Sequence, residues 1–331
     1  MPFHLPVGYK FACIALENAG IERQLRDPID LGDGRLILFE PPFPLAEPWR
    51  TWLGSIRAET MERVSLTLFV YAPSRIPTIL DAENEALKQI VLTFCYAVFL
   101  VEVFHHDGGM ILTGANVEGN VTVRQVSQLE PLYRPNGVLA EPLDRQALMD
   151  AARIADGMRI VHDGLGHHER LRKGFHAWIR GLMEYNGDER LHQFIRAVEA
   201  AVMPPKGKST SVFAHRCQLF AGNTASNKAL LGELYELRNT AEHHNTFAQV
   251  LTAYQPEHHE QTELRRTYQA QALASDVYRR IFLDPQLQAS FATDTDIAAF
   301  WAMSWAQQTL AWGNPIDLEA KATARMPYPT S

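Results

Sequence analysis

Strand-forming patterns occur only in the first 142 or so residues of this 331-residue chain. Asp81 and the acidic turn after it begin an apolar helix that runs through Val98. Around it, β-branched and aromatic runs stand between turn signals at residues 35–39, 64–71 and 121–123. The sequence therefore predicts a β-rich N-terminal domain, residues 1–140, in which a sheet packs on one helix.

From Leu143 onward the apolar residues recur at helical spacing. Asp144 and Asp188 are predicted N-caps, and Met203-Pro204-Pro205 ends a helix. The predicted helices cover residues 144–162, 169–185, 188–202, 211–220, 226–250, 263–283 and 296–312. The predicted fold class is therefore α+β: the β-rich domain, an all-α bundle over residues 141–313, and a polar, loosely ordered tail over 314–331. The boundary is expected in the turn-rich segment 132–137 or just after Pro142.

The composition, 46% hydrophobic and 21% charged, is that of a soluble globular protein. Cys13, Cys95 and Cys217 are far apart in apolar surroundings, which predicts reduced core residues rather than a disulfide framework or a zinc site. The N-terminus has no signal-peptide pattern, and the longest apolar run, 90–101, is too short to span a bilayer. We therefore expect a cytoplasmic protein without a membrane partner.

Residues 230–250 combine an apolar helical stripe with a dense polar set. At about 100° per residue, Arg238, Asn239 and His243 fall on the face opposite the stripe. His244 returns to the buried stripe by the same arithmetic, so His243 is predicted to be the reactive histidine of the pair. The stripe itself has near-heptad spacing and comprises Leu230, Leu234, Leu237, Ala241 and Ala248.

Arg238 and Asn239, followed after three residues by His243, resemble the R-(polar)-x3-H signature of HEPN domains. Flanking runs resemble the ApeA-like branch of that superfamily: L-Y-E-L-R at 234–238, F-I-R-A-V-E-A-A-V at 194–202, a Pro/Lys/Gly loop, and F-A-H-R-C-Q-L-F at 213–220. The resemblance covers roughly residues 146–312, the C-terminal half. It implies a HEPN-like helical domain behind an N-terminal domain that senses a ligand or partner.

The resemblance also implies a metal-independent endoribonuclease, related to antiviral defence or to toxins, that needs no cofactor. A histidine such as His243 can take the proton of a ribose 2′-hydroxyl or protonate the leaving 5′-oxygen. An arginine such as Arg238 can hold the negative phosphorane by bidentate hydrogen bonds, and Asn239 can orient the phosphate. The expected products have 2′,3′-cyclic phosphate ends.

RNA and a second copy of the chain are the partners that the resemblance implies. An isologous homodimer would bring two copies of the Arg238 and His243 pair together. The net charge is −7, yet residues 164–240 hold 11 Lys and Arg against 7 Asp and Glu, so this part is basic. The candidate RNA contacts in or next to this basic part are Arg172, Lys173, Arg216 and His244. Arg216 resembles an arginine common in the ApeA-like branch.

Each of these sites has an alternative interpretation. The polar set can be a solvated helix face with an ion pair between Arg238 and Glu242. Arg216 can be a structural arginine bonded to the neighbouring helix, and Arg172 and Lys173 can belong to a solvated helix start. The whole domain can be a non-catalytic HEPN module that dimerises and binds RNA or a nucleotide.

Other catalytic motifs are incomplete. Residues 205–210 end like a Walker A loop, but Val202 stands where the first glycine is needed. The pairs 168–169 and 259–260 lack the second histidine of H-E-x-x-H, so no metal site is predicted. His162-Asp163 resembles the central pair of HD phosphohydrolases, which remains a third, less favoured interpretation because its other metal ligands have no convincing positions.

Overall fold

The computed structural model describes residues 3–43, 47–130, 132, 138–164, 166–205, 207 and 209–326. The chain forms two compact units, Met1–Pro131 with Ala140–Ala155 and Leu132–Leu139 with Asp156–Ser331. The segment in which the boundary was expected, 132–137, lies outside the described residues except for Leu132. After it, the division between the units falls inside the helix Arg145–Asp163, about 15 residues later than expected.

The first unit contains an antiparallel sheet with the strand order β2-β3-β4-β1-β5-β6. Its strands are β1 (Tyr9–Glu17), β2 (Ile29–Gly32), β3 (Arg35–Leu38), β4 (Val64–Pro73), β5 (Gly108–Val117) and β6 (Asn120–Gln128). Its helices are α1 (Glu47–Leu53), α2 (Ser55–Glu62) and α3 (Ala82–Val101). The predicted sheet packed on a helix is therefore confirmed.

Both faces of the central strand β1 are buried. Phe11, Cys13 and Ala15 lie in a core with residues of α1 and α2. Ala12 and Ile14, which point the other way, are also fully buried on the side covered by α3. A strand buried on both faces lacks the alternation of apolar and polar residues by which strands are recognised. The sequence therefore carries no strand signal for β1.

The helix α3 is long and apolar enough to cross a membrane by length and composition, but half of its most apolar window is buried inside the fold. It packs on β1 and β4, with Val91, Phe94 and Val98 among its buried residues. Asp81 caps its N-terminus in a capping box with Asn84, as the sequence predicts. These contacts are those of a core helix in a globular unit.

After residue 144 all the regular secondary structure of the described residues is helical. The helices are α4 (Arg145–Asp163), α5 (Glu169–Met183), α6 (Gly187–Val202), α7 (Ser209–Ala221), α8 (Ala225–Glu242), α9 (His259–Leu283), α10 (Pro285–Ser290), α11 (Asp294–Ala302), α12 (Trp305–Trp312) and α13 (Leu318–Arg325). The predicted α+β fold class is confirmed, and the described residues between β6 and the C-terminus contain no strand.

Helix α6 is the centre of the second unit, because it packs on α5, α8 and α9. Its apolar side is almost wholly buried, with Phe194, Ile195 and Val198 fully inaccessible. Helix α5 approaches it closely at Gly174, where a Cβ would stand 2.4 Å from Ala200 Cβ and 2.0 Å from Tyr278 Oη. This close approach explains a glycine in the middle of a helix, a position where glycine costs about 1 kcal/mol relative to alanine.

Two predicted elements of the C-terminal region are wrong. The helix expected over 296–312 is divided, because Ser304 caps a new helix with Gln307 in a capping box. The polar tail contains the helix α13, which Asp317 caps and which places Ala322 in a buried cluster with Tyr268 of α9. A short amphipathic helix of this kind forms through tertiary packing and has little signal of its own in the sequence.

Candidate functional site

Helix α8 carries the polar set identified in the sequence. Thr224 caps its N-terminus by accepting a hydrogen bond from the Asn227 backbone N–H. The helix packs on α6 and α7, and its buried residues are Leu231, Leu234, Tyr235, Leu237 and Ala241. Leu230 is only half-buried and Ala248 is exposed, so both ends of the predicted stripe are wrong.

The end of α8 is set by a Schellman motif rather than by a glycine or proline. His244 adopts the left-handed conformation, φ +55°. The His244 N–H donates to the Ala241 carbonyl and the Asn245 N–H to the Thr240 carbonyl, both at 3.0 Å, which is the pairing that closes such a motif. The helix therefore stops at Glu242, eight residues before its predicted end, with His243 as its C-cap.

His243 and His244 are both exposed at this helix end. The expectation that His244 returns to the buried stripe is wrong, because the helical angle no longer applies after His243. The exposure predicted for His243 is confirmed, although its cause is the helix terminus rather than the outer face of a continuing helix. Asn239, one turn earlier, is half-buried, and its backbone carbonyl accepts a hydrogen bond from the His243 backbone N–H at 3.2 Å.

Arg238 lies against the bundle rather than on the outer face, with a side chain only 14% exposed. Its Nη2 lies 3.1 Å from Glu199 Oε2, and its Nη1 donates to Asn239 Oδ1 at 3.0 Å and to the Glu242 carboxylate. The guanidinium also stacks over Tyr235, 5.7 Å from the ring centroid. The alternative ion pair between Arg238 and Glu242 is therefore present, together with a second pair across to α6.

The Nε of Arg238 differs from the other guanidinium nitrogens. It is inaccessible in the isolated chain and has no hydrogen-bond partner among the described residues. A buried donor without an acceptor costs about 1–3 kcal/mol. Arg238 therefore retains one unused donor, although Glu199, Asn239 and Glu242 engage both of its terminal nitrogens.

Glu199 of α6 connects Arg238 to the interior of the bundle. Its Oε1 accepts a hydrogen bond from Tyr235 Oη at 2.8 Å, while its Oε2 accepts from Arg238. Burial, and to a smaller extent the Glu199 carboxylate, raises the pKa of Tyr235, so this phenol remains a donor at neutral pH. Glu199, Tyr235 and Arg238 therefore form one charge-assisted network between α6 and α8.

His192 is a second histidine beside α8 that sequence reasoning missed. It lies two turns before Glu199 on α6, is 9% exposed, and places Nδ1 3.5 Å from the Arg238 backbone carbonyl. Its position follows from the contact between α6 and α8, which joins residues 46 positions apart in the chain. A heptad spacing of His192 and Glu199 on one helix was the available signal, but it did not indicate which helix they face.

Arg216 is a half-buried arginine with structural contacts. Its Nη1 donates to the carbonyls of Val202, at 2.6 Å, and Met203, at 3.0 Å, at the C-terminus of α6. Its guanidinium also stacks 5.1 Å from the ring centroid of Trp301, and burial lowers its pKa. These contacts fit the alternative interpretation of Arg216 rather than a contact to RNA.

Arg172 and Lys173 lie in the first turns of α5. Arg172 is half-buried and its Nη1 donates to the carbonyls of His162 and Gly164, both at 3.3 Å. Lys173 is exposed and pairs with Glu169 at 2.6 Å, which lowers the pKa of that carboxyl. Arg172 is thus occupied in closing the turn before α5, whereas Lys173 remains on the surface.

The HD interpretation gains no support from the described residues. His162 Nδ1 and Asp163 Oδ1 are 3.4 Å apart on an exposed helix end. Within the described ranges, no group of three or more His, Cys, Asp or Glu residues is arranged to hold a metal ion. The glycine-containing segment 205–210 includes Lys206 and Lys208, which lie outside the described residues.

The three cysteines are buried and form no disulfide, as expected. Burial raises the pKa of Cys95 to about 12 and raises that of Cys217 as well, so neither is an activated thiolate. Comparisons of the chain with protein-family models, with curated proteins and with solved structures find no match. The case for a function therefore depends on the geometry around Arg238 and on the resemblance carried by its motif.

Proposed function

We propose that this protein is a metal-independent, HEPN-type endoribonuclease whose active residues lie in the last turn of α8. One observation carries the proposal: Arg238, Asn239 and His243 lie together at the C-terminal end of α8, where His243 is exposed and the half-buried Arg238 donates from Nη1 to Asn239 Oδ1 at 3.0 Å. A guanidinium, an amide and an imidazole together supply the charge and the proton transfer that RNA cleavage needs.

In the proposed reaction the ribose 2′-oxygen attacks the adjacent phosphorus and the bond from phosphorus to the 5′-oxygen breaks. One proton leaves the 2′-hydroxyl and another reaches the 5′-oxygen. The products are a 2′,3′-cyclic phosphate and a 5′-hydroxyl. His243 is the proposed acid or base, and Arg238, supported by Asn239, would hold the extra negative charge on the phosphate.

The reaction needs both a base and an acid, and one chain offers one copy of His243. We propose a homodimer in which two helix ends meet about a two-fold axis, so that two imidazoles share these roles. Light scattering at micromolar concentration should give twice the chain mass of 37.3 kDa. A monomer in this measurement would contradict the shared site without testing whether the chain cleaves RNA.

The direct test is cleavage of a mixed RNA by the purified protein in EDTA. We predict that His243→Ala lowers the cleavage rate by about 10²–10⁴-fold, the usual contribution of a general acid or base. Its melting temperature should stay unchanged, because the side chain is exposed at a helix end.

The matched control is His162→Ala, which removes another exposed histidine, at the end of α4. It should cleave as the wild type does. Equal activity of wild type and His243→Ala would refute the assigned role of His243. Loss of activity in His162→Ala, with a magnesium requirement, would instead support the HD interpretation.

The ion pairs of Arg238 favour a second function, a non-catalytic HEPN module that dimerises and binds RNA or a nucleotide. Glu199, Asn239 and Glu242 engage both terminal nitrogens of Arg238, so the guanidinium holds a phosphorane only if these contacts open. A dimer that binds RNA and leaves it intact would select this alternative. Either function is proposed to operate in the cytoplasm, with the N-terminal unit as a sensor or partner domain and no membrane contact.

A further inference from the structure

A cavity of about 620 Å³ opens between α5, α6 and the start of α11, all within the second unit. Ligand pockets in proteins commonly have volumes of 300–1,000 Å³. Small and apolar residues form part of its wall, namely Gly174, Ala177, Ala200, Met203 and Pro204. The close packing of α5 on α6 at Gly174 keeps this part of the wall free of long side chains.

The charged residues of the wall are mostly paired with each other. Arg170 makes a bidentate pair with Asp294, at 2.7 and 2.8 Å, and Lys173 pairs with Glu169 at 2.6 Å. Glu199, also in the wall, is engaged by Arg238 and by Tyr235. These contacts satisfy the cavity's carboxylates from within the protein.

Arg196 is the exception. It is exposed and lines the cavity, and no described residue accepts a hydrogen bond from its guanidinium or pairs with it. The wall holds three cations, Arg170, Lys173 and Arg196, and as many carboxylates, Glu169, Glu199 and Asp294, and Arg196 is the cation among them that no described carboxylate holds. Its guanidinium can therefore donate to one phosphodiester, which brings a single charge, whereas the multiple charges of a free nucleoside di- or triphosphate would also meet Glu199.

Glu199 ties the cavity to the proposed active site. Glu199 lines the cavity, and its carboxylate accepts a hydrogen bond from Arg238 Nη2 at 3.1 Å. Arg196 precedes Glu199 by three residues on α6 and therefore lies on a neighbouring position of the same helix face. A ligand that fills the cavity thus lies one side chain away from the guanidinium of Arg238.

We propose that this cavity is a subsite for one nucleotide of a single RNA strand, with its phosphodiester on Arg196 and its flat base against the small residues of the wall. The proposal rests on the proposed ribonuclease function, because it takes the strand toward Arg238. It adds a residue, Arg196, and a position along the substrate that the α8 motif does not specify. Lys173, whose surface pair with Glu169 contributes at most about 1 kcal/mol, can turn toward the same phosphate.

The test is equilibrium binding of a labelled single-stranded 2′-O-methyl RNA, which cannot be cleaved, at several salt concentrations. Arg196→Gln should weaken binding by about 3- to 10-fold and lower the slope of log affinity against log salt by about 0.7, the value for one phosphate contact on a single strand. Arg180→Gln is the control, since it removes an exposed arginine of α5 outside the cavity. It should leave affinity and slope near those of the wild type.

The outcomes separate this inference from the proposed function. Equal affinity of Arg196→Gln and wild type, with cleavage of ordinary RNA intact, would overturn the subsite and leave the nuclease standing. A lowered salt slope in Arg196→Gln, with no cleavage of ordinary RNA, would support the subsite and overturn the nuclease. An effect of Arg196→Gln confined to a free nucleoside monophosphate, with RNA binding unchanged, would also overturn the subsite.

Discussion

Each unit of this protein contains a cationic side chain that is paired with two carboxylates. In the sheet unit, Lys10 of β1 is 1% exposed and pairs with Asp81 at 2.7 Å and Glu83 at 3.0 Å. In the helical unit, Arg238 is 14% exposed and pairs with Glu199 and Glu242. Asp81 also caps the N-terminus of α3, and Glu83 places a negative charge in its first turn, where the helix dipole favours it. These roles explain the Lys10 network in structural terms.

The Arg238 network is not explained in the same way. It lies at a C-terminal helix end, where carboxylates such as Glu242 are less favourable, and it leaves Nε without an acceptor. Asn239 and His243 lie within five residues of Arg238 along the chain. The partners of Lys10 complete a helix cap, whereas those of Arg238 do not, and the accompanying Asn239 and His243 are what make Arg238 part of a candidate site.

Replacing each cation by the other type should affect activity at Arg238 and stability at Lys10. Arg238→Lys should lower RNA cleavage by about 10²–10³-fold, because an ammonium cannot replace the planar fork that donates to a phosphate. Lysine retains the charge for Glu199 and Glu242 but loses the hydrogen bond to Asn239 and the stacking on Tyr235, so the melting temperature should fall modestly while the protein stays folded. Rates close to those of the wild type would place Arg238 among structural residues like Lys10.

The reciprocal exchange, Lys10→Arg, should act on stability alone. Lys10 is 1% exposed, and a longer, planar side chain overfills its site at a cost of about 1–3 kcal/mol. Urea unfolding followed by circular dichroism measures this loss. Cleavage of RNA per folded molecule should equal that of the wild type, and a loss of specific activity would contradict the separation of the two networks.

Acid should weaken the Lys10 network. Hydrogen bonds from Lys10 lower the pKa of Asp81, and those from Ser74 and then Lys10 lower the pKa of Glu83. Because the folded values lie below the unfolded ones, their contribution is complete above the unfolded pKa of about 4 and is lost as the pH falls below it. The melting temperature of Lys10→Met should therefore decrease less with falling pH than that of the wild type. Equal dependence of the two melting temperatures on pH would contradict this.

The smallest effect concerns the turn that follows His243. His244 occupies the left-handed position of the Schellman motif, which glycine adopts without strain. His244→Gly should stabilise the protein by about 0.5–1 kcal/mol, the balance between relieved strain and greater chain entropy. Cleavage should be unchanged if His243 is the reactive histidine, and a large loss of activity would transfer that role to His244.

The sequence predicts elements whose signals are local and misses those set by tertiary contacts. Asp81 and the acidic turn after it place the start of α3 correctly because a cap is read within four residues. The end of α8 is missed, because a histidine in the left-handed conformation has no recognisable sequence signal, unlike the glycine that usually occupies this position. Continuous burial of β1 likewise hides the alternation of a strand.

The same distinction applies to the candidate site. Arg238, Asn239 and His243 are found in the sequence because they lie within one turn and a half of a helix. Glu199 stands 39 residues away from Arg238, and only the packing of α6 on α8 makes it a partner. The assumption that Arg238 faces solvent follows from helix angles alone and is wrong for that reason.

The chemistry at the end of α8 is tested most directly by the end groups of the RNA fragments made in EDTA. We predict 2′,3′-cyclic phosphate and 5′-hydroxyl ends from the wild type, and no such fragments from a folded His243→Ala variant. Fragments with 3′-hydroxyl and 5′-phosphate ends, or activity that appears only with magnesium, would contradict it, because those products require an attacking water rather than the ribose 2′-oxygen.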